Sequence, residues 1–125
     1  MWLRTLQGLD ARRARAFSTL NQAELDKIYV PGTAPWTSDR SLLTTYQQQK
    51  IRVDGLRVQI DSLTIEQPGA DTVVLRIVDR LVAGATIDSA GHRTPLPPGP
   101  ATARRITLRA EAGNKTWRIS AITAA

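Results

Sequence analysis

The chain contains no cysteine. That removes disulfides, thiolate metal sites and cysteine nucleophiles, and it fits a cytosolic protein and a cysteine-poor exported one equally well. The single histidine, His92, lies in the loop Ala90-Gly91-His92-Arg93 with no nucleophile or carboxylate at a recognisable spacing. It therefore reads as an exposed loop residue, not a catalytic base or a ligand. Asp54, Asp61, Asp71 and Asp88 lack the spacing of a calcium loop, so neither a metal nor a cofactor is expected. No apolar run approaches the roughly 18 residues of a membrane helix. Met1-Trp2-Leu3 leads straight into an amphipathic helical pattern, without the basic region, apolar stretch and cleavage site of a signal peptide. Aromatic residues make up only 5%, and Trp2, Trp36 and Trp117 stand far apart. Single-stranded nucleic acid is bound by aromatics interleaved with a basic stripe; without them, no specific nucleic acid partner is expected.

Against these absences stand 42% apolar and 22% charged residues in 125 positions. This is enough for one globular domain with one core, residues 1–125, and too little for two. The formal charge is +6, from 17 basic against 11 acidic residues, which favours loose attraction to polyanions or an anionic surface. The arginines are dispersed, as in Arg12-Arg13 and Arg104-Arg105, and read as a solvated surface more than as a binding stripe.

Residues 2–50 carry helical signals. Trp2, Leu6, Leu9, Ala16, Phe17 and Leu20 recur at steps of three and four, with Arg4, Arg12 and Arg15 mostly opposite. Asn21 followed by Glu24 resembles a capping box and predicts a short helix over 23–29, with Leu25, Ile28 and Tyr29 buried. Val30-Pro31-Gly32-Thr33 ends it. Thr37 or Ser38 offers the next cap, with Asp39 favourable near the positive helix end and Leu42, Leu43 and Tyr46 as the apolar face.

From residue 51 the period becomes two. Leu56, Val58 and Ile60 alternate with Arg57, Gln59 and Asp61, and Leu63 and Ile65 then take the opposite parity, as a bulge near Asp61-Ser62 would produce. After a turn at Gln67-Pro68-Gly69-Ala70-Asp71 a long strand runs over 72–88, with Val73, Leu75, Ile77, Asp79 and Leu81 on one face. Val74, Arg76, Val78 and Arg80 take the other face. Gly84 interrupts the strand where a bent sheet needs a residue without a Cβ. A proline-rich loop over 89–100 follows; Thr94 to Pro100 imitates an SH3 ligand, but a stiffened hairpin loop is the simpler account. Strands over 101–110 and 115–123, joined by a tight turn at Glu111-Ala112-Gly113-Asn114, close the chain. Helices (2–50) followed by strands (51–124), without βαβ alternation, predict an α+β fold: N-terminal helices packed on a curved four-stranded antiparallel sheet.

Several short motifs share this order. They are Leu9-Asp10 with Arg13-Ala14-Arg15-Ala16-Phe17, Leu25-Asp26, Tyr29-Val30-Pro31-Gly32-Thr33, Asp39 with Leu42-Leu43, Val53-Asp54-Gly55-Leu56, the strand over 73–79 and Trp117-Arg118-Ile119. In this order they resemble the nuclear transport factor 2-like (cystatin-like) cone, and more closely a group of actinobacterial proteins that carry such a domain tethered outside the membrane. The resemblance implies a non-catalytic accessory or sensory domain in an extracytoplasmic, membrane-tethered or secreted parent, with any membrane contact made through a tether outside this segment. It brings no catalytic residues.

Arg13 is the sharpest oddity, because at about 100° per residue it falls within about 20° of Leu6, inside the apolar arc of the first helix. A buried guanidinium needs a partner, and Asp79, facing the helices, is the expected one. The alternatives are that Arg13 snorkels to the rim or reaches Asp10, and that Asp79 caps an exposed strand end. Trp117 shares parity with Ile119 and reads as core or pocket wall, Trp36 as a staple or rim of the third helix, and Tyr29 and Tyr46 as packing residues. The expected function is binding, of a small apolar ligand or a protein, in a concave sheet only partly filled by helices. The outer sheet face offers a homodimer surface. The alternative is a small isomerase- or lyase-type enzyme with Asp79 as base, which requires that no arginine neutralise it.

Overall fold

Leu6, Leu9, Ala16 and Phe17, at successive steps of three, seven and one, become the buried stripe of the first helix, α1 (Trp2–Thr19). The computed structural model describes residues 1–111 and 116–125. α1 closes on Leu20 in the left-handed conformation, and Asn21 donates its backbone N–H back to Ala16 at 3.0 Å. Asn21 then caps not a full helix but a single 3₁₀ turn over Gln22–Glu24, accepting from the Ala23 N–H at 3.0 Å. The helix that follows, α2, is only Leu25–Ile28. Tyr29 lies outside it, in extended conformation, because its backbone is recruited by the far end of the chain: it forms a parallel bridge to Ile119, and Val30 N–H donates to Ile119 C=O at 2.9 Å.

The third helix, α3, spans Ala34–Gln49 and starts earlier than the Thr37 or Ser38 cap predicted from sequence. Thr33 is the capping position and Pro35 sits in the first turn, where a missing N–H costs nothing because that group has no helical partner anyway. Asp39 is thereby moved from the helix start into the second turn. It lies four residues before Leu43, on the buried side.

The second half forms an antiparallel sheet: β1 (Arg52–Gln67), β2 (Thr72–Ile87), β3 (Arg93–Pro95), β4 (Thr102–Ala110) and β5 (Trp117–Ala124). Its order is β1-β2-β4-β5, a meander of four, and β3 is a fifth strand of three residues paired with β2 at Ala85–Ile87. Four strands were expected, and the extra one comes from the proline-rich loop. That loop does not swing free but follows β2, with Leu96 N–H bonded to Gly84 C=O at 2.9 Å and Gly99 N–H to Leu81 C=O at 3.1 Å. Gly84 leaves room for it: a Cβ there would stand 3.1 Å from Leu96 and 3.4 Å from Leu56. Of the tight turn predicted at Glu111-Ala112-Gly113-Asn114, residues 112–114 fall outside the described residues, as does a strand start at residue 115.

β1 shifts register between Ile60 and Ser62, where the change of parity predicts a bulge, and also near Asp54, Arg57 and Ile65. Such bulges increase local twist and bend a strand. α1 lies against β1, and α3 against β5. Leu25, Leu43, Leu75 and Leu108, all 0% exposed, anchor one cluster of buried apolar side chains, each contributing about 1.5–3 kcal/mol by leaving water.

Candidate functional site

Four of the elements that build this core, α1, α3, β2 and β4, also carry charge on their inward side. On β2 the buried residues Val73, Leu75 and Ile77 are followed at the same parity by Asp79, 6% exposed. On β4, Leu108 and Ile106 are followed by Arg104. On α1, Asp10 and Arg13 interrupt the stripe between Leu9 and Ala16. Asp39 joins them from α3. These groups and the adjacent apolar side chains of Leu6, Leu9, Ile28, Leu56, Ile60 and Leu81 line a cavity of about 650 Å³. Gly99, Pro100 and Thr102, where the proline-rich loop enters β4, also line it.

The ion pairs are not those expected. Arg13 does not pair with Asp79; its Nε and Nη2 donate to the two carboxylate oxygens of Asp39, at 2.7 and 2.9 Å. Its guanidinium also lies over the Phe17 ring, 4.9 Å from the centroid. Asp79 is claimed by Arg104, whose Nε donates at 3.2 Å to one oxygen and whose Nη2 donates to the other. The reason is ladder geometry. Asp79 lies opposite Thr102 and Ile77 opposite Arg104, so Arg104 is the diagonal neighbour of Asp79 on the same face, within reach of a long side chain.

Tyr29 completes the first cluster by donating its hydroxyl to Asp39 Oδ2 at 2.5 Å. Read from sequence as a packing residue, it gains this polar role because leaving α2 points its ring at α3. Burial, and then the adjacent Asp39 charge, push its pKa above the ordinary tyrosine value. For Arg13, burial works against the charge, but the hydrogen bonds and the charge of Asp39 outweigh it, and its pKa rises.

Asp10 differs from both paired carboxylates. It lines the main cavity and also a second one of about 380 Å³ between α1 and β1. Among the described residues no hydrogen bond or ion pair engages its side chain. Burial, reinforced by the charge of Asp79 and opposed by Arg104 and Arg13, raises its pKa from 3.8 to about 6.

The other residues singled out from sequence lie elsewhere. Trp117 stacks edge-to-face on Trp2 (4.8 Å, 80°) and borders a smaller groove with Arg12, Asp26 and Arg118. Tyr46 packs edge-to-face against Phe17 at 6.0 Å. Trp36 ties the start of α3 to α2 by donating its indole N–H to Asp26 at 2.8 Å, with Arg40 over its ring. Of the expected set, only Arg13 and Asp79 face the cavity. Asp10, Tyr29, Asp39 and Arg104 were not assigned to it from sequence. Two of them were legible: Arg104 shares strand parity with Ile106 and Leu108, and Asp39 stands seven residues before Tyr46 on the α3 stripe. His92 is exposed in its loop, its Nδ1 3.2 Å from Asp88. No helix of the described residues is long and apolar enough to cross a membrane.

No family model and no curated protein matches the chain. Solved structures do. The intermembrane space region of the chloroplast protein ARC6 matches at TM-score 0.64 and 12% identity, covering 97% of this chain and 91% of that one. A Catenulispora acidiphila protein in complex with S-DNPA matches at 0.56 and 16%, covering 98% and 90%. A nuclear transport factor 2-like superfamily protein from Salmonella enterica matches at 0.55 and 10%, covering 100% and 92%. With helices packed on a bent antiparallel meander, the chain has the nuclear transport factor 2-like fold.

Proposed function

We propose that residues 1–125 act as one non-catalytic binding domain that takes a small, largely apolar ligand into the cavity between α1, α3 and the sheet. The carrying observation is the cavity itself: about 650 Å³, within the range of small-molecule sites, with apolar walls and a few converging polar groups. The bound S-DNPA of the Catenulispora acidiphila protein supports ligand capture by this fold. The test uses an environment-sensitive apolar dye, with Leu81→Trp to fill the cavity from its wall. Dye binding should be lost in the variant while its far-UV circular dichroism stays native. Undiminished binding by a folded Leu81→Trp protein would refute the reading.

The expected setting is an accessory module of an exported or membrane-anchored protein, a reading that the intermembrane space domain of ARC6 supports by analogy of fold. The outer sheet face, where half-buried Val74 and Val78 alternate with exposed Arg76 and Arg80, is proposed as a homodimer surface. A monomer whose sedimentation is independent of concentration would argue against it.

The enzymatic alternative loses support for Asp79, because Arg104 occupies both of its oxygens and a general base needs one free to reach a substrate proton. An isomerase- or lyase-type reading would have to move to Asp10, which has no bonded cation among the described residues and a pKa raised to about 6. Its test is deuterium uptake from solvent into an apolar ketone, abolished by Asp10→Asn.

A further inference from the structure

Two arginines reach the cavity from inward positions, and each already has a carboxylate of its own: Arg13 is held by Asp39 and Arg104 by Asp79. Arg80 borders the cavity from the outward parity of β2 and is paired with Asp61. Asp10 is a third inward carboxylate, and no cation is bonded to it among the described residues. With Asp10 ionised, two positive charges therefore stand against three negative ones at the inward positions around the cavity, and the surplus sits on one acceptor-only group.

We propose that the cavity selects an apolar molecule bearing one protonated amine, whose ammonium binds the Asp10 carboxylate while its hydrocarbon part lies against Leu6, Leu9, Leu56 and Ile60. The inference rests on the reading of the cavity as a ligand site and names the chemistry of that ligand. An ammonium supplies donors only, and an ionised carboxylate supplies acceptors only, so the two are complementary without rearranging the wall. Among the described residues that line the main cavity, an anionic ligand has no free cation to meet; Arg57 borders only the smaller cavity between α1 and β1. It would have to take Arg13 from Asp39 or Arg104 from Asp79 and strand a buried carboxylate, which is strongly unfavourable. A neutral ligand leaves the surplus charge of Asp10 uncompensated.

The titratable and charged groups lining the two cavities with Asp10 are Arg13 on α1, Arg57 on β1, Asp79 and Arg80 on β2, Asp39 on α3, Tyr29 before it and Arg104 on β4; α2 and β5 contribute only Ile28, Ile119 and Ile122. Arginines keep their charge across the working range, and Asp39 and Asp79 each have both oxygens bonded to an arginine. Asp10 is the group that ionises near pH 6. Amine binding should therefore strengthen as pH rises through about 6 and stay strong until the ligand itself loses its proton.

Naphthylmethylamine, naphthylmethanol and naphthoate share one skeleton and differ in charge. Calorimetric titration of all three, on either side of about pH 6, tests the proposal on wild-type protein and on Asp10→Asn, a substitution of equal size. Above that pH the amine should bind wild type about tenfold or more tightly than the alcohol, the worth of one charged hydrogen bond, and naphthoate should bind least. The amine's advantage should vanish in Asp10→Asn and, in wild type, below that pH. Equal binding of amine and alcohol, or tightest binding of naphthoate, overturns the amine selection while leaving the cavity as a ligand site. Binding of none of the three overturns both. The pH series on wild type decides the matter even if Asp10→Asn does not fold.

Discussion

Two regions share the inner surface of this fold and are built by opposite means. In the apolar region, Leu25, Leu43, Leu75 and Leu108 lose all contact with water. In the charged region, one step further along the same elements, Asp10, Arg13, Asp79 and Arg104 occupy equivalent inward positions around an open cavity. Alternation along a strand puts both kinds of residue on the same face. Apolar side chains can close on any neighbour of the right shape, whereas charged ones need named partners at hydrogen-bond distance, and the space around them stays open to water and to ligands.

That contrast is most sharply tested by truncating one leucine from each region. Leu75→Ala should cost about 2–5 kcal/mol in urea unfolding, the usual range for a fully buried leucine. Leu81→Ala, which only widens an existing cavity, should cost about 1 kcal/mol or less. Equal losses would erase the distinction between the regions. Asp39→Ala comes next. It leaves both the Arg13 guanidinium and the Tyr29 hydroxyl without their acceptor, and should destabilise by about 3 kcal/mol; a loss within experimental error would show that water serves Arg13 as well as Asp39 does.

Asp10→Asn should act in the other direction. Folding raises the Asp10 pKa from 3.8 to about 6, so the folded chain holds this proton more tightly than the unfolded one. The resulting stability is complete below about pH 3.8 and is lost as pH climbs through about 6. The two-unit shift corresponds to roughly 3 kcal/mol, which partial solvent access reduces to about 2. The variant should therefore exceed wild type by about 2 kcal/mol at neutral pH, with the difference fading in acid. A difference independent of pH would mean that Asp10 is not the group responsible. The smallest effect belongs to the outer face, where Glu66→Gln breaks an exposed pair with Arg105 and should change stability by about 0.5 kcal/mol or less.

The apolar region was largely readable from the sequence. Val73, Leu75 and Ile77 announce their strand and its inner face, and the parity change after Ile60 announces the bulge. The charged region was readable only as a set of inward charges. Arg13 stands out because helical periodicity places it among leucines, yet periodicity says nothing about which acid a neighbouring helix will bring to it. That depended on where α3 begins, and a proline two residues after the capping threonine moved the start upstream and Asp39 with it. The partner of Asp79 followed from strand register, which single residues do not encode but pairs across a ladder do. Tyr29 was out of reach for a third reason. Local signals favoured helix there, and a contact with the opposite end of the chain overrode them.

That contact also orders events in time. β1 and β2 are joined by a short turn and can pair early, as can α1 with the segment that follows it. The Tyr29–Ile119 bridge joins the first third of the chain to its last strand, and only then is the Tyr29 hydroxyl carried to Asp39. On this ordering the cavity should be the last part of the molecule to form and the first to open. A chain missing β5 would collapse around its apolar layer with the cavity unassembled. Ile119→Val should accordingly speed unfolding while leaving the refolding rate nearly unchanged, and a slowed refolding limb would place the bridge in the nucleus instead.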